Sequence, residues 1–392
     1  MHVPAAWYQL LTLLDSQLPH LRPAAQRGLA WWVLGTILAH SACQSAVVTA
    51  LSPFRSPSAL RQALREWLYD GQDRAAPCQT QLDVRASFAP LLGWVLRWWQ
   101  SEQLALAVDA THLRQDLVIL AVSVLYRGTA IPVAWHVQRG QASGSWVTRL
   151  VELLELLQPA IPHELEVLVL ADRGLWSPAL WQAIQAIGAH PLLRVQGRAT
   201  FKPDGAERVP LRCLAPRAGT AWVGRGRAFK DRPVPGRCTA LVVWATGQDE
   251  PWLLLTDLAP ERVGLGWYGL RAWIEVGFRA LKSLGWHWER SRRTDPMRVS
   301  RHWLVLAVAT LWTVAVGTRA EEAAWTQQPA WQVHRPQPVP AAYRRRVSLI
   351  GRGLAWIRAQ IIAGVVWQRL WFGANPWPAP PAALITCYHD SS

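Results

Sequence analysis

Four polar residues in "YGLRAWIEVGFRALK" (268 to 282) keep a spacing that invites chemistry: Tyr268, Arg271, Glu275 and Lys282 stand at offsets of zero, three, seven and fourteen. A helix turns about 100° per residue, so those offsets fall within an arc of roughly 60° and share one face. Leu270, Ile274, Phe278 and Leu281 form a second, apolar stripe that can anchor the helix to a core. A solvated face with an ordinary ion pair between Arg271 and Glu275, four apart, is the competing reading. Given this chain's composition, the four-residue pattern arises by chance roughly once in several thousand such sequences.

Two further acids stand at the ends of apolar runs: Asp109 closes "LALAVD" (104 to 109) and Asp172 closes "EVLVLAD" (166 to 172). A carboxylate ending a buried strand must reach the sheet's rim, because burying it unpaired is costly. If the two strands are neighbours, both carboxylates enter one space and repel unless a cation lies between them. Hard divalent ions such as Mg²⁺ favour that kind of oxygen cage. A single Asp at such a place is more often a cap or turn residue; two, with Glu275 as a third, change the odds. His112 and Arg173 flank the two Asp residues and read as supporting neighbours.

The elements that must position these groups follow from the changing period. The first hundred residues read as helical, and "SALRQALREWLYD" (58 to 70) sets Arg61 and Arg65 four apart on one face. That face fits a DNA-binding head and fits a solvated surface equally well. Strands are predicted at 104–109, 117–126 and 130–137, then a helix at 144–158, a strand at 166–172, a helix at 177–188 and a strand at 191–197. Ser177 and Pro178 make a good start to the second helix. Three strands, helix, strand, helix, strand describe a mixed α/β sheet. Residues 198–260, rich in Gly, Pro and Arg, read as a β-rich insertion with strands at 239–246 and 251–258. A buried helix is expected at 303–317, a Pro-rich linker at 325–346 and a basic helix at about 347–371.

The row Tyr-x2-Arg-x3-Glu-x6-Lys resembles the Tyr-Arg-Glu-Lys signature of bacterial insertion-sequence transposases of the DDE class. "LAVDATHL" is similar to that family's first catalytic strand, "AIPVAWHV" to its third strand and "VLADRGLW" to its second Asp followed by Arg. The resemblance implies a ribonuclease H-like mixed sheet flanked by helices, a β-rich insertion before the last catalytic helix, and a helical N-terminal region. It divides the chain into a DNA-binding region at 1–100, a catalytic domain at 101–320 and a linker with a basic helix at 321–392. It further implies a catalytic, metal-binding triad of Asp109, Asp172 and Glu275 holding two Mg²⁺ or Mn²⁺ ions. The partner would be double-stranded DNA, as transposon ends and target, bound by a homodimer in a synaptic complex. Tyr268 and Arg271 would contact the terminal phosphate, with Lys282 further along the strand. Trp252, in "PWLLLTDL", stands where relatives stack an aromatic on a flipped base, although with 26 Trp in the chain most must be packing residues.

Composition agrees with a polyanionic partner: the formal charge is +15, and Lys occurs only at Lys202, Lys230 and Lys282. Arg suits phosphate through its planar fork, while the bias of Arg over Lys also fits a GC-rich genome. Cys43, Cys78, Cys213, Cys238 and Cys387 show no metal-ligand or disulfide spacing, as expected of a reducing cytoplasm. The N-terminus lacks the pattern of an export signal. The apolar stretches at 29–51 and 303–317 read as buried helices rather than membrane spans. A ribonuclease H-like nuclease without strand transfer, and a non-catalytic DNA-binding protein derived from a transposase, are the competing functions.

Overall fold

The computed structural model describes residues 3–70, 82–114, 116–140, 146–230, 234–283, 285–328, 332–333, 335–340, 345–364 and 370–381, and the backbone of 385–388. Cys78, the side chain of Cys387, residues 144–145 of the first predicted helix and 365–369 of the last lie outside the described residues. The N-terminal part is helical: α1 (Ala5–Gln17), α2 (Pro23–Ala39), α3 (Gln44–Leu51), α4 (Pro57–Leu68) and α5 (Phe88–Arg97).

A sheet then begins with an antiparallel meander, β1 (Gln103–Leu113), β2 (Leu117–Tyr126) and β3 (Thr129–Arg139). Arg127 and Gly128, both at positive φ, make the tight turn between β2 and β3, the backbone twist that two-residue hairpins favour. Helix α6 (Trp146–Leu157) carries the chain over to β4 (Glu166–Ala171), and α7 (Pro178–Ala186) to β5 (His190–Arg194). β4 runs parallel to β1, and β5 parallel to β4, which requires such crossover helices. Ser177 caps α7 as expected, accepting a 3.1 Å bond from the Leu180 N–H. The resulting order, β3-β2-β1-β4-β5, is the ribonuclease H-like arrangement. Every residue of β2 is buried, so both faces of the sheet are covered.

Residues 198–260 do not stand apart from this sheet. Strands β6 (Thr200–Pro203), β7 (Val209–Pro210), β8 (Thr220–Ala228), β9 (Cys238–Trp244) and β10 (Trp252–Thr256) continue it beyond β5 in the order β10-β9-β8-β6-β7. β10 pairs antiparallel with β5, matching Leu254 to Arg194. Helix α8 (Ala272–Leu281) follows, then the long α9 (Pro296–Thr326), α10 (Leu349–Ala363) and a last strand, β11 (Ile385–Tyr388), parallel to β8.

Helix α9 extends well past the expected 303–317 and takes in the first residues of the expected linker. Charged residues hid its ends. Glu321 and Glu322 are fully buried because Arg127, at the β2–β3 turn, pairs with both at 3.3 and 3.0 Å, and Arg345 pairs with Glu321 at 2.6 Å. At the other end, buried Arg301 donates to Leu68 O at 3.1 Å and to Asp70, tying α9 to the N-terminal helices. By length and composition α9 is the one described helix that could cross a membrane, or one of two if the α2–α3 pair, bent by 90°, counts as a span; its apolar window is wholly buried, as expected of a core helix.

Helix α8 sits on β3 through Gly277, where an added Cβ would meet Ala130 Cβ at 2.7 Å and Ala130 N and O at 3.2 Å. The backbone contact lets the helix carrying Glu275 lie close to the strands. Gly277→Ala is expected to lower stability by about 1–3 kcal/mol in urea unfolding, as overpacking does. Gly93→Ala in α5, where a Cβ meets nothing within 4 Å, is the control and should leave the fold unharmed.

Candidate active site

Strand register, not proximity in sequence, makes the site. The parallel pairing of β1 and β4 ends at Val108↔Ala171, so the next residue on each strand is an acid: Asp109 beside Asp172. The pairing of β4 and β5 ends at Ala171↔Leu193, which adds Arg194 as the third residue of the row. Asp109 does not end its strand as expected. β1 continues to Leu113 because β2 keeps supplying partners, with Asp109 opposite Ala121 and Leu113 opposite Leu117; only the β4 side stops at the acid.

The segment 268–282 is not one helix. Trp267–Arg271 forms a 3-10 turn, α8 spans Ala272–Leu281, and Lys282 has φ −86 and ψ −106, outside the helix. Gly269 weakens the first turn, and Gly285 lets the chain fold back so that the Trp286 N–H bonds Ala280 O at 2.8 Å; a Cβ at Gly285 would meet that oxygen at 2.1 Å. The expected outward row is thus divided. Tyr268 is buried, its hydroxyl 3.4 Å from Ala171 O, at the end of β4. Glu275 is exposed and Arg271 lies between.

Arg271 draws the acids together. Its Nη2 lies 2.8 Å from Asp109 Oδ2 and 3.7 Å from Asp172 Oδ2, and its Nη1 lies 2.6 Å from Glu275 Oε1. Among the described residues no group of three or more His, Cys, Asp or Glu has the geometry to hold a metal ion; the three carboxylates close on a guanidinium instead. The donor set nonetheless fits a hard divalent cation. Three carboxylates from three elements converge on one positive charge, and oxygen is the ligand such ions prefer.

Burial raises the Asp109 carboxyl above its ordinary range, with Asp172 and Glu275 adding to the rise; Arg271 and the Ala110 N–H, 2.8 Å from Oδ1, oppose it without cancelling it. Burial also works against the charge on Arg271, but Asp109 and its neighbours outweigh it and hold that pKa above the usual value. Burial, then Asp172, pushes the Tyr268 phenol upward, so it stays a neutral hydrogen-bonding group. Burial lowers the Lys282 ammonium, opposed by Glu289.

The remaining predicted residues are distributed around this centre. Trp252 is half-buried, its ring 5.3 Å from that of Tyr268 and inclined at 68°, so it is at the site but held edge-on to the tyrosine. Arg173 is exposed and pairs with Glu250 at 3.0 Å. His112 is exposed on β1. Arg61 and Arg65 are exposed on α4, which packs on α2, α3 and α9 rather than at the acids. Arg194 and Glu250 escaped the sequence reading. Arg194 lay inside the strand expected at 191–197, whereas β5 ends at it, so its place at the rim beside Asp172 became legible only from the strand's observed end.

The chain belongs to the transposase DDE domain family, which matches residues 101–312, more than half its length. No curated protein matches it significantly. Among solved structures it is similar to the piggyBac transposase in a synaptic complex with hairpin DNA, at 10% identity and a TM-score of 0.47, over 92% of this chain and 77% of that one. Human ENDOV matches at 13% identity over 58% of this chain and 96% of that one, with a TM-score of 0.22. Kluyveromyces polysporus Argonaute with a guide RNA matches at 10% identity over 59% and 30%, with a TM-score of 0.19.

A carboxyl whose pKa is raised in the folded state destabilises the fold once ionised. Any such penalty is absent below the ordinary value of 3.8 and grows as pH rises through the folded value. Asp109→Asn is therefore expected to raise the melting temperature at neutral pH, with the gain vanishing as pH falls below 3.8. Thermal melts of both proteins across that range check it; a variant less stable than wild type at neutral pH would contradict it.

Proposed function

We propose that this protein is the transposase of a bacterial insertion sequence, acting in the cytoplasm as a homodimer on double-stranded DNA. It binds the element's terminal inverted repeats, cuts at the ends and joins the 3′ ends to target DNA. The observation that carries this reading is the convergence of Asp109, Asp172 and Glu275 on one cation in a chain of the transposase DDE domain family. The three acids would hold two Mg²⁺ or Mn²⁺ ions, which supply activation of the attacking oxygen and charge stabilisation at the leaving oxygen.

The chain's own residues prepare that chemistry. Asp109 and Asp172 are fixed by strand register, whereas Glu275 rides on a helix and is more than half exposed, with room to adjust. Arg271 reaches the acids with one edge of its fork, and its buried Nε–H has no hydrogen-bond partner among the described residues. A DNA phosphate is the group that would satisfy such a fork in two-pronged fashion. As Arg271 turns to the phosphate, the carboxylates are released for metal. Tyr268 packs against Trp252 and presents a neutral hydroxyl beside Ala171. Lys282, past the end of α8, would meet the strand further from the cut. Arg61 and Arg65, exposed on α4, would contribute to binding the repeats.

In a cleavage and joining assay with Mg²⁺ and DNA carrying the element's own ends, Glu275→Gln is expected to lose cleavage by a factor on the order of 10²–10³ while still binding the DNA. Retention of near wild-type, metal-dependent cleavage would sink the assignment. Cleavage without joining by the wild type would favour a nuclease.

A further inference from the structure

Two arginines on the Asp172 side of the site close on one carboxylate. Arg194 ends β5 in the register position beside Asp172; its side chain is 17% exposed, and its Nη2 lies 2.6 Å from Glu250 Oε1. Arg173, the residue after Asp172, places Nη1 3.0 and 3.2 Å from the two oxygens of the same carboxylate. Glu250 comes from the turn between β9 and β10 and is 54% exposed. Two guanidinium forks around one anion leave a net positive charge, and their planar donors match the non-bridging oxygens of a phosphate at least as well as a carboxylate. The Arg173–Glu250 pair is about half exposed on both sides and so held weakly against water, and Glu250 approaches Arg194 from the solvent side, so an incoming anion can replace the carboxylate.

The surroundings extend the same chemistry. Arg173 and Arg198 line an open cleft with Gly174, Gln196 and Gly197. A second cleft shares Gln196 and Arg198 and continues past Trp176 and Thr200 to Arg208 and Lys230. No acid appears among the described lining residues of either cleft. At Gly174 and Gly197 an added Cβ would meet nothing within 4 Å, so the walls are open to a backbone. Trp176 and Phe229 lie with ring centroids 5.2 Å apart, inclined at 31°, and form one wall.

We infer that Arg173 and Arg194 form a clasp for a DNA backbone phosphate beside the scissile position, and that Glu250 occupies it in the free protein as an internal substitute for that phosphate. The strand then leaves along the cationic clefts past Arg198 toward Arg208 and Lys230. This inference rests on the reading of the protein as a DNA transposase. It makes Glu250 a competitor of DNA and not a support for its ligands, and the two roles predict opposite effects of neutralising it.

The test is fluorescence anisotropy of the full-length protein with a labelled DNA duplex of arbitrary sequence, read over a series of salt concentrations. Glu250→Gln should tighten binding about 3- to 10-fold. Asp249→Asn, which removes an equal charge from the neighbouring exposed position, should change it by less than about 2-fold. Arg194→Ala should weaken binding by about 10-fold with a salt slope shallower by about one, and in an Arg173→Ala, Arg194→Ala background Glu250→Gln should lose its effect. Glu250→Gln that weakens binding, or matches Asp249→Asn, overturns the clasp while leaving the DNA-binding reading intact. A wild-type protein that binds no duplex overturns that reading itself.

Discussion

The centre of this molecule depends on electrostatic repulsion imposed by strand register. β1 and β4 are parallel neighbours whose pairing ends at Val108 and Ala171, and the next position on each is an aspartate. Backbone hydrogen bonds hold the two carboxylates in adjacent slots, and neither can withdraw without shifting its strand. In a partly buried setting such a pair needs a cation. Arg271 supplies the charge, and Glu275 joins from the following helix. The site is built around a positive charge supplied by the chain itself, and under the proposed function exchange of that cation for a metal is the way it would become active.

The rest of the fold holds the three contributing elements in place. Arg271 and Glu275 lie at the start of α8, where a misplaced helix would draw Glu275 from the acids. Gly277 brings that helix down on β3. The chain's C-terminal part passes over the preceding turn: Trp377 packs edge to face on Trp267 at 4.7 Å, and Gly266 leaves only enough room for the backbone of Ala379. The same segment is fastened to the hairpin of β2 and β3, where the Arg127 Nε–H bonds Ala374 O, and to α9, where the Trp371 indole N–H bonds the buried Glu322. A buried ionic network of this kind costs desolvation, and it is tolerable here because Glu321 and Glu322 are met by two arginines, an indole and the Gln337 N–H.

Much of this was legible in the chain. Apolar runs bounded by turn residues marked β1 to β5 in order, and Ser177–Pro178 marked the start of α7, because these signals are local. Asp109 and Asp172 stood out as charges closing apolar runs, and Glu275 as a member of the polar row on an amphipathic segment. Less legible were features set by pairing between distant segments. The persistence of β1 to Leu113 depends on β2. The length of α9 was hidden by Arg301, Glu321 and Glu322, which read as surface residues until their partners are known. The break in the Tyr-Arg-Glu-Lys row comes from glycines at 269 and 285, whose effect depends on what packs against each.

By itself, then, the sequence determined the strand and helix order and a mixed α/β sheet, since these are written in local periodicity and residue type. The ribonuclease H-like class and the choice of Asp109, Asp172 and Glu275 as a set followed from the resemblance of the Tyr-Arg-Glu-Lys row and its companion strands to a transposase family. Only the tertiary structure decided that Arg271 lies among the acids rather than beside one of them, that Tyr268 turns inward, and that Arg194 and Glu250 belong to the same neighbourhood. Those facts depend on the register of β1, β4, β5 and β10. Register is a long-range choice made by burial across the whole sheet, and no short window of the chain contains it.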